Sequence, residues 1–319
     1  MQELRIQSGE NQKLNKYLLR YLNQAPKSLI HKFLRKKFIT LNGKKAAGNE
    51  DLKEGDIIKI FLPPQSLAEL TVKKILPSYT GLKIVYEDHN LLIADKPKGL
   101  LSHPSKDEQI CLIYNILAYL KGSGQYPAGS FTPALVNRLD RNTSGLVMCG
   151  KNLAAAQTLN KLIREHKIHK FYKAIVQGKL TRKNRLESYH AKDEKKNRAD
   201  YTKNPEKDRS KAITIYQPSE IFQNHTCLEI QPITGKFHQI RAHLQSIGHP
   251  IAGDGKYGGA SPLASGQLLM AYKLLFYDTK NTILEYLEGK TFVIENSKEF
   301  EAALKNLRRM YKLGATLKS

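Results

Sequence analysis

One aspartate in this sequence stands where a carboxylate could do chemistry. Asp140 is flanked by Arg138 and Arg141 and is followed by a turn-forming run that ends at Gly145. A cation close to a carboxylate favours its ionised form, which is a poor general acid but can serve as a nucleophile or weak base. The same local sequence also fits a turn residue or a helix cap. The neighbours of Asp140 alone therefore leave both interpretations open.

The whole chain carries a large excess of positive charge. It has 52 Lys and Arg residues against 29 Asp and Glu, a formal net charge of +23 over 319 residues. This charge suits a polyanionic partner, either nucleic acid or an anionic membrane, although a basic surface can also simply be solvated. We find no run of 18 or more apolar residues and no signal-peptide pattern at the first residues. We therefore expect a cytoplasmic protein without a membrane partner.

Neither the cysteines nor the histidines predict a metal or redox site. The spacing of Cys111, Cys149 and Cys227 fits no zinc knuckle or redox pair, so we expect three small buried thiols. His238 and His243 invite a metal interpretation, but no H-E-x-x-H pattern, acidic ligand cluster or cysteine pair accompanies them. We therefore expect no metal.

The first part of the chain predicts a small basic module. Leucines recur at four-residue spacing from Leu14 to Leu22, which is typical of one apolar helix face. A second helix is expected to follow, with Ser28 as its cap. Asn42-Gly43 is a strong signal for a type I′ hairpin turn, because both central positions need positive φ. The basic residues of the second helix and the turn after it are Lys32, Arg35, Lys36 and Lys37.

A change in composition after residue 62 predicts a domain boundary. Pro63 and Pro64 break the preceding pattern, and Pro77 follows. A chain of this length suits two domains. We expect a first domain at residues 1–70, a linker that extends to about residue 80, and a second domain at residues 81–319.

Strand and helix patterns alternate in the second domain. Apolar runs predict strands at residues 84–86, 91–94, 146–149 and 170–176, and helices at about 110–121 and 152–166. Asp140 would then lie in a loop that feeds a buried strand, which is a rigid mount for a catalytic group. Polar side chains are densest at residues 231–258, where Thr234 can cap a helix that carries Arg241. Residues 189–211 are charged and turn-rich, and predict an exposed loop that either clamps RNA or has no functional consequence.

Three ordered motifs resemble those of the RluA-type pseudouridine synthase family. They are Arg138-Leu139-Asp140 with Thr143-Ser144-Gly145, Lys170-x-Tyr172, and the segment from Gly235 to Gly258. The front module resembles the αL-type RNA-binding domain that often accompanies this family. The resemblance implies an α+β fold: a small helix-hairpin RNA-binding domain, then a catalytic domain with a mixed, mainly antiparallel sheet, flanking helices and a basic cleft.

The same resemblance implies a role for each motif residue. Asp140 matches the catalytic aspartate, Arg241 the arginine that forms an ion pair with it, and Tyr172 the tyrosine that stacks on the target base. Arg138 matches the arginine associated with flipping the uridine out of its helix. Further RNA contacts are expected from Lys236, His238 and Gln239 in the cleft, and from Lys32, Arg35, Lys36 and Lys37, with Asn42 and Lys44 nearby, in the front module.

Two positions depart from the family pattern. Asn137 stands where the family usually has histidine, and Lys236-Phe237 stands inside the usual Gly-Arg-Thr-His. Neither change removes a residue assigned to the chemistry, but lysine in place of arginine loses a bidentate phosphate contact.

The function implied by the resemblance is that of a monomeric RNA pseudouridine synthase. The resemblance favours large-subunit ribosomal RNA as the substrate, with transfer RNA as the alternative. Pseudouridine formation breaks the bond between the sugar and uracil N1 and rejoins the base through C5, so it requires no cofactor. Two other functions fit the charge and the cleft. One is a non-catalytic RNA-binding or ribosome-assembly factor, and the other is an RNA hydrolase.

Overall fold

The computed structural model describes residues 1–7, 11–71, 81–105, 108, 110–126, 131–193, 198–202, 204 and 209–316. Within these residues the strands form two separate sheets, one of four strands and one of eleven, with helices packed on both. The α+β class is as the sequence predicts. No helix in the described residues is long and apolar enough to cross a membrane.

The first sheet is small and is covered by two amphipathic helices. Its strands, in the spatial order β1-β4-β2-β3, are β1 (Gln2–Arg5), β2 (Ile39–Leu41), β3 (Lys44–Lys45) and β4 (Ile57–Ile60). The helices are α1 (Leu14–Tyr21) and α2 (Lys27–Arg35). The predicted leucine stripe, from Leu14 to Leu22, is completely buried in the core under this sheet. Asn42 and Gly43 have φ angles of 50° and 73°, as the predicted type I′ turn between β2 and β3 requires.

One prediction for the front of the chain is wrong. α2 begins at Lys27, so Ser28 lies inside the helix and does not cap it. After the two prolines the chain forms a helix, α3 (Pro64–Leu70), because proline at the first turn of a helix lacks only an N–H that would have no partner there. Leu67 packs against the core of the front sheet. Most of the linker expected up to about residue 80, residues 72–80, lies outside the described residues.

Eleven strands of the described chain form the second sheet. They are β5 (Lys83–Glu87), β6 (Leu91–Lys96), β7 (Ala134–Leu135), β8 (Ser144–Gly150), β9 (Ile168–Gln177), β10 (Asn184–Asp193), β11 (Arg198–Thr202), β12 (Ser210–Ile221), β13 (His225–Pro232), β14 (Leu269–Phe276) and β15 (Thr291–Val293). The main path is β11-β10-β12-β13-β9-β14-β8-β6-β5, with β15 on β14 and β7 on β8. Only the β8–β14 pair is parallel among the described strand pairs, which confirms a mixed, mainly antiparallel sheet.

Four helices flank this sheet, and two of them enclose β8. The helices are α4 (Leu112–Gly122), α5 (Leu153–Arg164), α6 (Gln239–Ser246) and α7 (Lys298–Thr316). Val147 packs in a cluster with α4, whereas its neighbour Met148 packs in a cluster with α5. Because successive residues of a strand face opposite ways, α4 and α5 cover opposite faces of β8. Asn152 caps α5 as predicted, accepting a 2.8 Å hydrogen bond from the Ala155 amide.

The segment predicted as an exposed loop at residues 189–211 is mostly β-structure. β10 and β11 form an antiparallel hairpin in register from Tyr189 opposite Thr202 to Asp193 opposite Arg198. The hairpin is anchored by Tyr201, whose ring lies 5.0 Å from that of His243 in α6. A strand that is polar on both faces has little apolar alternation, so its pattern could not be distinguished from a loop.

The three cysteines are free and buried, as expected. Burial raises the pKa of the Cys149 thiol to about 12, so this group stays a neutral thiol.

Candidate active site

The loop before β8 is held rigidly by its surroundings. Lys96, at the end of β6, is completely buried. Its ammonium donates hydrogen bonds to the backbone carbonyls of Pro97, Leu100 and Arg141, at 3.0, 2.6 and 3.0 Å. Burial lowers the pKa of Lys96 to about 7. The Ser102 hydroxyl donates to the Leu139 carbonyl at 2.8 Å and lies 3.1 Å from the Leu139 amide. Asp140 is therefore anchored through its backbone neighbours on both sides.

One guanidinium joins two carboxylates. Arg241, on α6, donates from Nη1 to Asp140 Oδ2 at 2.9 Å. Its Nε and Nη2 donate to the two oxygens of Asp254 at 2.7 and 2.8 Å. The Arg241 and Asp254 side chains are only 8% and 1% exposed, whereas that of Asp140 is 29% exposed. The bidentate contact with Asp254 fixes the guanidinium plane, so the remaining donor holds Asp140 in place while that carboxylate stays open to the cleft.

A neutral histidine approaches Asp140 from a second side. His238 Nε2 lies 3.6 Å from Asp140 Oδ2, and its Nδ1 lies 3.0 Å from the Tyr257 hydroxyl. Burial lowers the pKa of His238 to about 4, although the charge of Asp140 acts in the opposite direction. The imidazole is therefore uncharged at neutral pH. Arg241 is left as the cation that pairs with Asp140.

The turn before α6 is held by a glutamine side chain. Gln239 Oε1 accepts hydrogen bonds from the Thr234 hydroxyl at 2.7 Å and the Lys236 amide at 3.0 Å. Its Nε2 donates to the Ile213 carbonyl at 2.9 Å and the Thr214 hydroxyl at 3.0 Å. The predicted helix cap at Thr234 is wrong, since α6 starts at Gln239. Gln239, expected to contact substrate, has its amide fully used within the protein and instead positions the turn.

These groups open onto one cleft of about 1100 Å³. Tyr172, on β9, lines it together with Asp140. Burial raises the pKa of Tyr172, and the charge of Asp140 adds to that effect, so the phenol stays protonated. Arg138 also lines the cleft and is exposed, and within the described residues no ion pair joins it to Asp140. Arg141 pairs with Glu108 at 2.8 Å instead.

The expected substrate contacts fall in two places. Lys236 and His238 line the cleft with Asp140 and Tyr172. The four basic residues expected to contact RNA from α2 and the turn after it are all exposed and do not line the cleft; they are Lys32, Arg35, Lys36 and Lys37. The Asn42 side chain is hydrogen-bonded within the protein instead. Its Nδ2 donates to Asp56 at 2.9 Å, and its Oδ1 accepts from the backbone amide of Ile57 at 2.8 Å.

The Asn137 side chain is hydrogen-bonded to the backbone of β8. Its Nδ2 donates to the Leu146 carbonyl at 3.2 Å, and its Oδ1 accepts from the Met148 amide at 2.8 Å. This departure from the family pattern therefore affects the anchoring of the Asp140 loop to β8.

Sequence reasoning missed Asp254 and the cage around Lys96. Asp254 is the one carboxylate between Gly235 and Gly258, in an otherwise basic and apolar segment. This isolated position could have indicated a functional role for Asp254, because a single acid between two glycines in a basic segment is not typical of a solvent-exposed surface. Lys96 gave no comparable signal, since a lysine before proline is ordinary in a loop.

No group of three or more His, Cys, Asp or Glu side chains in the described part of the chain is arranged to hold a metal ion.

Known proteins are similar to this chain in sequence and in fold. The sequence model of the RNA pseudouridylate synthase family matches residues 90–246, a range that includes Asp140, Tyr172 and Arg241. An uncharacterized RNA pseudouridine synthase of Aquifex aeolicus strain VF5 is 31% identical, over 89% of this chain and 92% of the relative. The ribosomal large subunit pseudouridine synthase C of Haemophilus ducreyi is 32% identical, over 77% of this chain and 76% of that protein. The structure of human RNA Pseudouridylate Synthase Domain Containing 4 is 23% identical, with a TM-score of 0.56 over 71% of this chain and 93% of that one.

The fold, together with these relatives, defines an isomerase that acts on RNA. The chain belongs to the RluA-type pseudouridine synthase family, which confirms the family, the fold and the enzymatic activity predicted from the three sequence motifs.

Proposed function

We propose that this protein converts specific uridines of large-subunit ribosomal RNA to pseudouridine, with Asp140 as the catalytic carboxylate. The observation that carries the proposal is the Asp140–Arg241 ion pair of 2.9 Å, placed in the same cleft as Tyr172. The name of the Haemophilus ducreyi relative supports the ribosomal substrate. We propose that the protein acts in the cytoplasm, as a monomer and without a cofactor.

The reaction needs the target base to leave the RNA stack. Flipping a nucleotide costs a few kcal/mol, and least in loops and bulges. In our proposal Arg138, exposed at the cleft, fills the gap in the RNA. Tyr172 stacks on the base and retains it while it is detached and turned, and one such stacking contact contributes about 1–3 kcal/mol. A neutral phenol suits this role, because it adds no charge next to the uracil.

Asp140 then acts on the sugar of the flipped nucleotide. It either attacks the sugar carbon that carried the base or removes a sugar proton. Both routes require an ionised carboxylate, and the buried guanidinium of Arg241 stabilises that form. A deuterium label on C2′ separates the routes, because only proton removal from that carbon gives a primary isotope effect.

The direct test replaces Asp140 with asparagine, which keeps the side-chain shape and removes the charge. The Asp140→Asn protein should form no pseudouridine while it still binds RNA, because the cleft and its cations are unchanged. Pseudouridine is measured by nucleoside analysis of the treated RNA, and binding by filter retention. Full turnover by this variant would exclude Asp140 as the catalytic carboxylate. Shortened RNA strands would point to hydrolysis.

The substrate is tested by mapping pseudouridines in cells with and without the gene. Loss of modification at specific positions of large-subunit ribosomal RNA is the expected result. Loss confined to transfer RNA would contradict the ribosomal assignment and leave the chemistry intact. Restoration of the missing positions by the wild-type chain, but not by Asp140→Asn, ties the modification to this cleft.

We further propose that the chain has two functional units, with residues 1–70 as an RNA-binding domain and residues 81–319 as the catalytic domain. The separate four-stranded sheet with its own buried core supports this division. Exposed cations at Lys32, Arg35, Lys36 and Lys37 would bind phosphates and position the RNA without reading its sequence.

A further inference from the structure

One lysine of the cleft has no counter-charge. Lys170 lies on β9 two residues before Tyr172, so the two side chains point to the same face of the strand, and both line the cleft. Within the described residues the Lys170 ammonium makes no hydrogen bond or ion pair. Burial lowers the pKa of Lys170, and no neighbouring carboxylate opposes that effect. A partly buried ammonium without a partner is unfavourable, so a ligand with negative charge would stabilise it.

The space beside this ammonium is open because residue 235 is glycine. A Cβ atom on Gly235 would lie 3.6 Å from Lys170 Nζ and within 4 Å of no other atom in its surroundings. The φ angle of Gly235 is outside the left-handed region, so the backbone does not require glycine here. The sheet explains the proximity. Ile230 lies opposite Tyr172, and the chain continues from there past Lys170 into the turn that contains Gly235.

The charges of the cleft also favour an anion at this point. The cleft is also lined by Arg141 and Arg241, which are ion-paired, by Lys256, and by three further cations, Arg138, Arg164 and Lys236. In the described part of the chain none of these last three forms an ion pair. The carboxylates of the cleft, Asp140 and Asp254, are both bound to Arg241 and leave Lys170 uncompensated. Uracil is neutral, so the anionic part of an RNA substrate that can match Lys170 is the phosphodiester.

We propose that Lys170 and the open side of Gly235 form a binding site for one phosphate of the substrate RNA, next to the nucleotide that enters the cleft. The proposal rests on the proposed function, since it assumes that an RNA nucleotide occupies the cleft. β9 would then hold both parts of that nucleotide: Tyr172 faces its base, and Lys170 faces its backbone.

A scan with neutral methylphosphonate linkages tests this site. RNA stem-loops that carry one such linkage at successive positions are bound to the Asp140→Asn protein, which does not convert them. At one position near the target uridine the substitution should weaken binding by about tenfold or more, because a charge-assisted hydrogen bond is removed. In the Asp140→Asn, Lys170→Gln double variant the penalty at that position should disappear, whereas penalties elsewhere persist. Equal penalties at every position in both proteins would overturn the proposal.

The readout of this scan is binding, so its result does not depend on conversion. Absence of pseudouridine with the wild-type chain contradicts the proposed function, whereas an unchanged methylphosphonate profile contradicts the phosphate site.

Gly235→Ala provides a second test that keeps the lysine. The added methyl group occupies the open side of Lys170 without backbone strain, so RNA affinity should fall while the melting temperature is unchanged. In a salt titration, Lys170→Gln should reduce the log–log slope by about 0.7 for a single-stranded target. Lys305→Gln, which removes the same charge from an exposed position on α7, is the matched control. An equal effect of Lys305→Gln, or unchanged affinity of Gly235→Ala, would show that the cleft has no specific site at Lys170.

Discussion

At Arg241 one side chain has to satisfy two carboxylates in three hydrogen bonds, and only a guanidinium has that geometry. Arg241→Lys keeps the charge but cannot reach both Asp140 and the two oxygens of Asp254. We expect kcat to fall about 100-fold, because a small displacement of a catalytic group has an effect of that size. Single-turnover kinetics on a saturating RNA substrate measure the change.

Asp254→Asn tests how the guanidinium at the same site is positioned. It removes one of the two acceptors that fix the guanidinium plane and leaves Asp140 untouched. The expected result is a lower kcat with little change in KM, since the Asp254 side chain is only 1% exposed and is bonded to Arg241. A variant that binds RNA more weakly but turns over at the normal rate would show that Asp254 acts on binding.

Two buried histidines make folding stability depend on pH. Burial lowers the pKa of both His238 and His243 to about 4. An unfolded histidine has a pKa near 6.5, so between these values the unfolded chain binds protons that the folded chain does not. Protonation of the two histidines therefore does not reduce folding stability above about pH 6.5, whereas the free energy of unfolding falls as the pH is lowered towards 4.

Urea unfolding at pH 7 and at pH 5 measures this loss. The free energy of unfolding should be lower at pH 5, and His243→Gln should reduce the difference. His243 is suited to the test because its nitrogens are bonded to Ser188 and Thr214, away from Asp140. An unchanged difference in the variant would assign the pH dependence to other groups.

At the scale of elements, the Asp140 loop depends on the parallel contact between β8 and β14. Gly145 has a φ angle of 119°, and a Cβ there would clash with the Ala271 carbonyl oxygen. Gly145→Ala should therefore lower the free energy of unfolding by about 2–4 kcal/mol, through backbone strain and the separation of the two strands. Gly122→Ala in α4 is the control, since Gly122 has open space around it and alanine favours a helix. Thermal melting of both variants gives the comparison.

The elements that the sequence predicts best are those with strong apolar patterns. β8 is buried at every position and α4 at most positions, and both appear within about two residues of their predicted ends. The β10–β11 hairpin was missed because its residues are polar, and its position is set by pairing with β12 and by the packing of Tyr201 on α6. Such tertiary contacts leave no local pattern.

In the active site, too, the features that depend on tertiary contacts could not be predicted from local sequence. Arg241 is 101 residues from Asp140, and only the family resemblance linked the two. The charge of Asp140 first suggested Arg138 and Arg141 as its partners, yet the sheet brings α6 to it instead. Asp254 and Lys96 were missed because their roles follow from three-dimensional neighbours that no spacing rule contains.

At the scale of the whole molecule, the front module should contribute affinity and not chemistry. Replacing four exposed cations of α2 and the turn after it with glutamine (Lys32, Arg35, Lys36 and Lys37) should raise KM and leave kcat unchanged. The log–log salt slope should fall by about 0.7 for each phosphate that the module no longer neutralises. Replacement of Lys280, Lys298, Lys305 and Arg309, four exposed cations outside the front module, is the control for net charge. A lower kcat at saturating RNA would show that the module also takes part in the catalytic step.

The pairing of one guanidinium with two carboxylates gives the cleft an electrical polarity. Asp140, Asp254 and Arg241 together carry one net negative charge, whereas the wall with Lys170 and Lys236 is positive. A nucleotide has a matching asymmetry, since its base is neutral and its phosphates are anionic. Asp140 would repel phosphates and Lys170 and Lys236 would attract them, which favours a nucleotide that enters base first. The field of the cleft would thus select the orientation of the substrate before any hydrogen bond to the uracil forms.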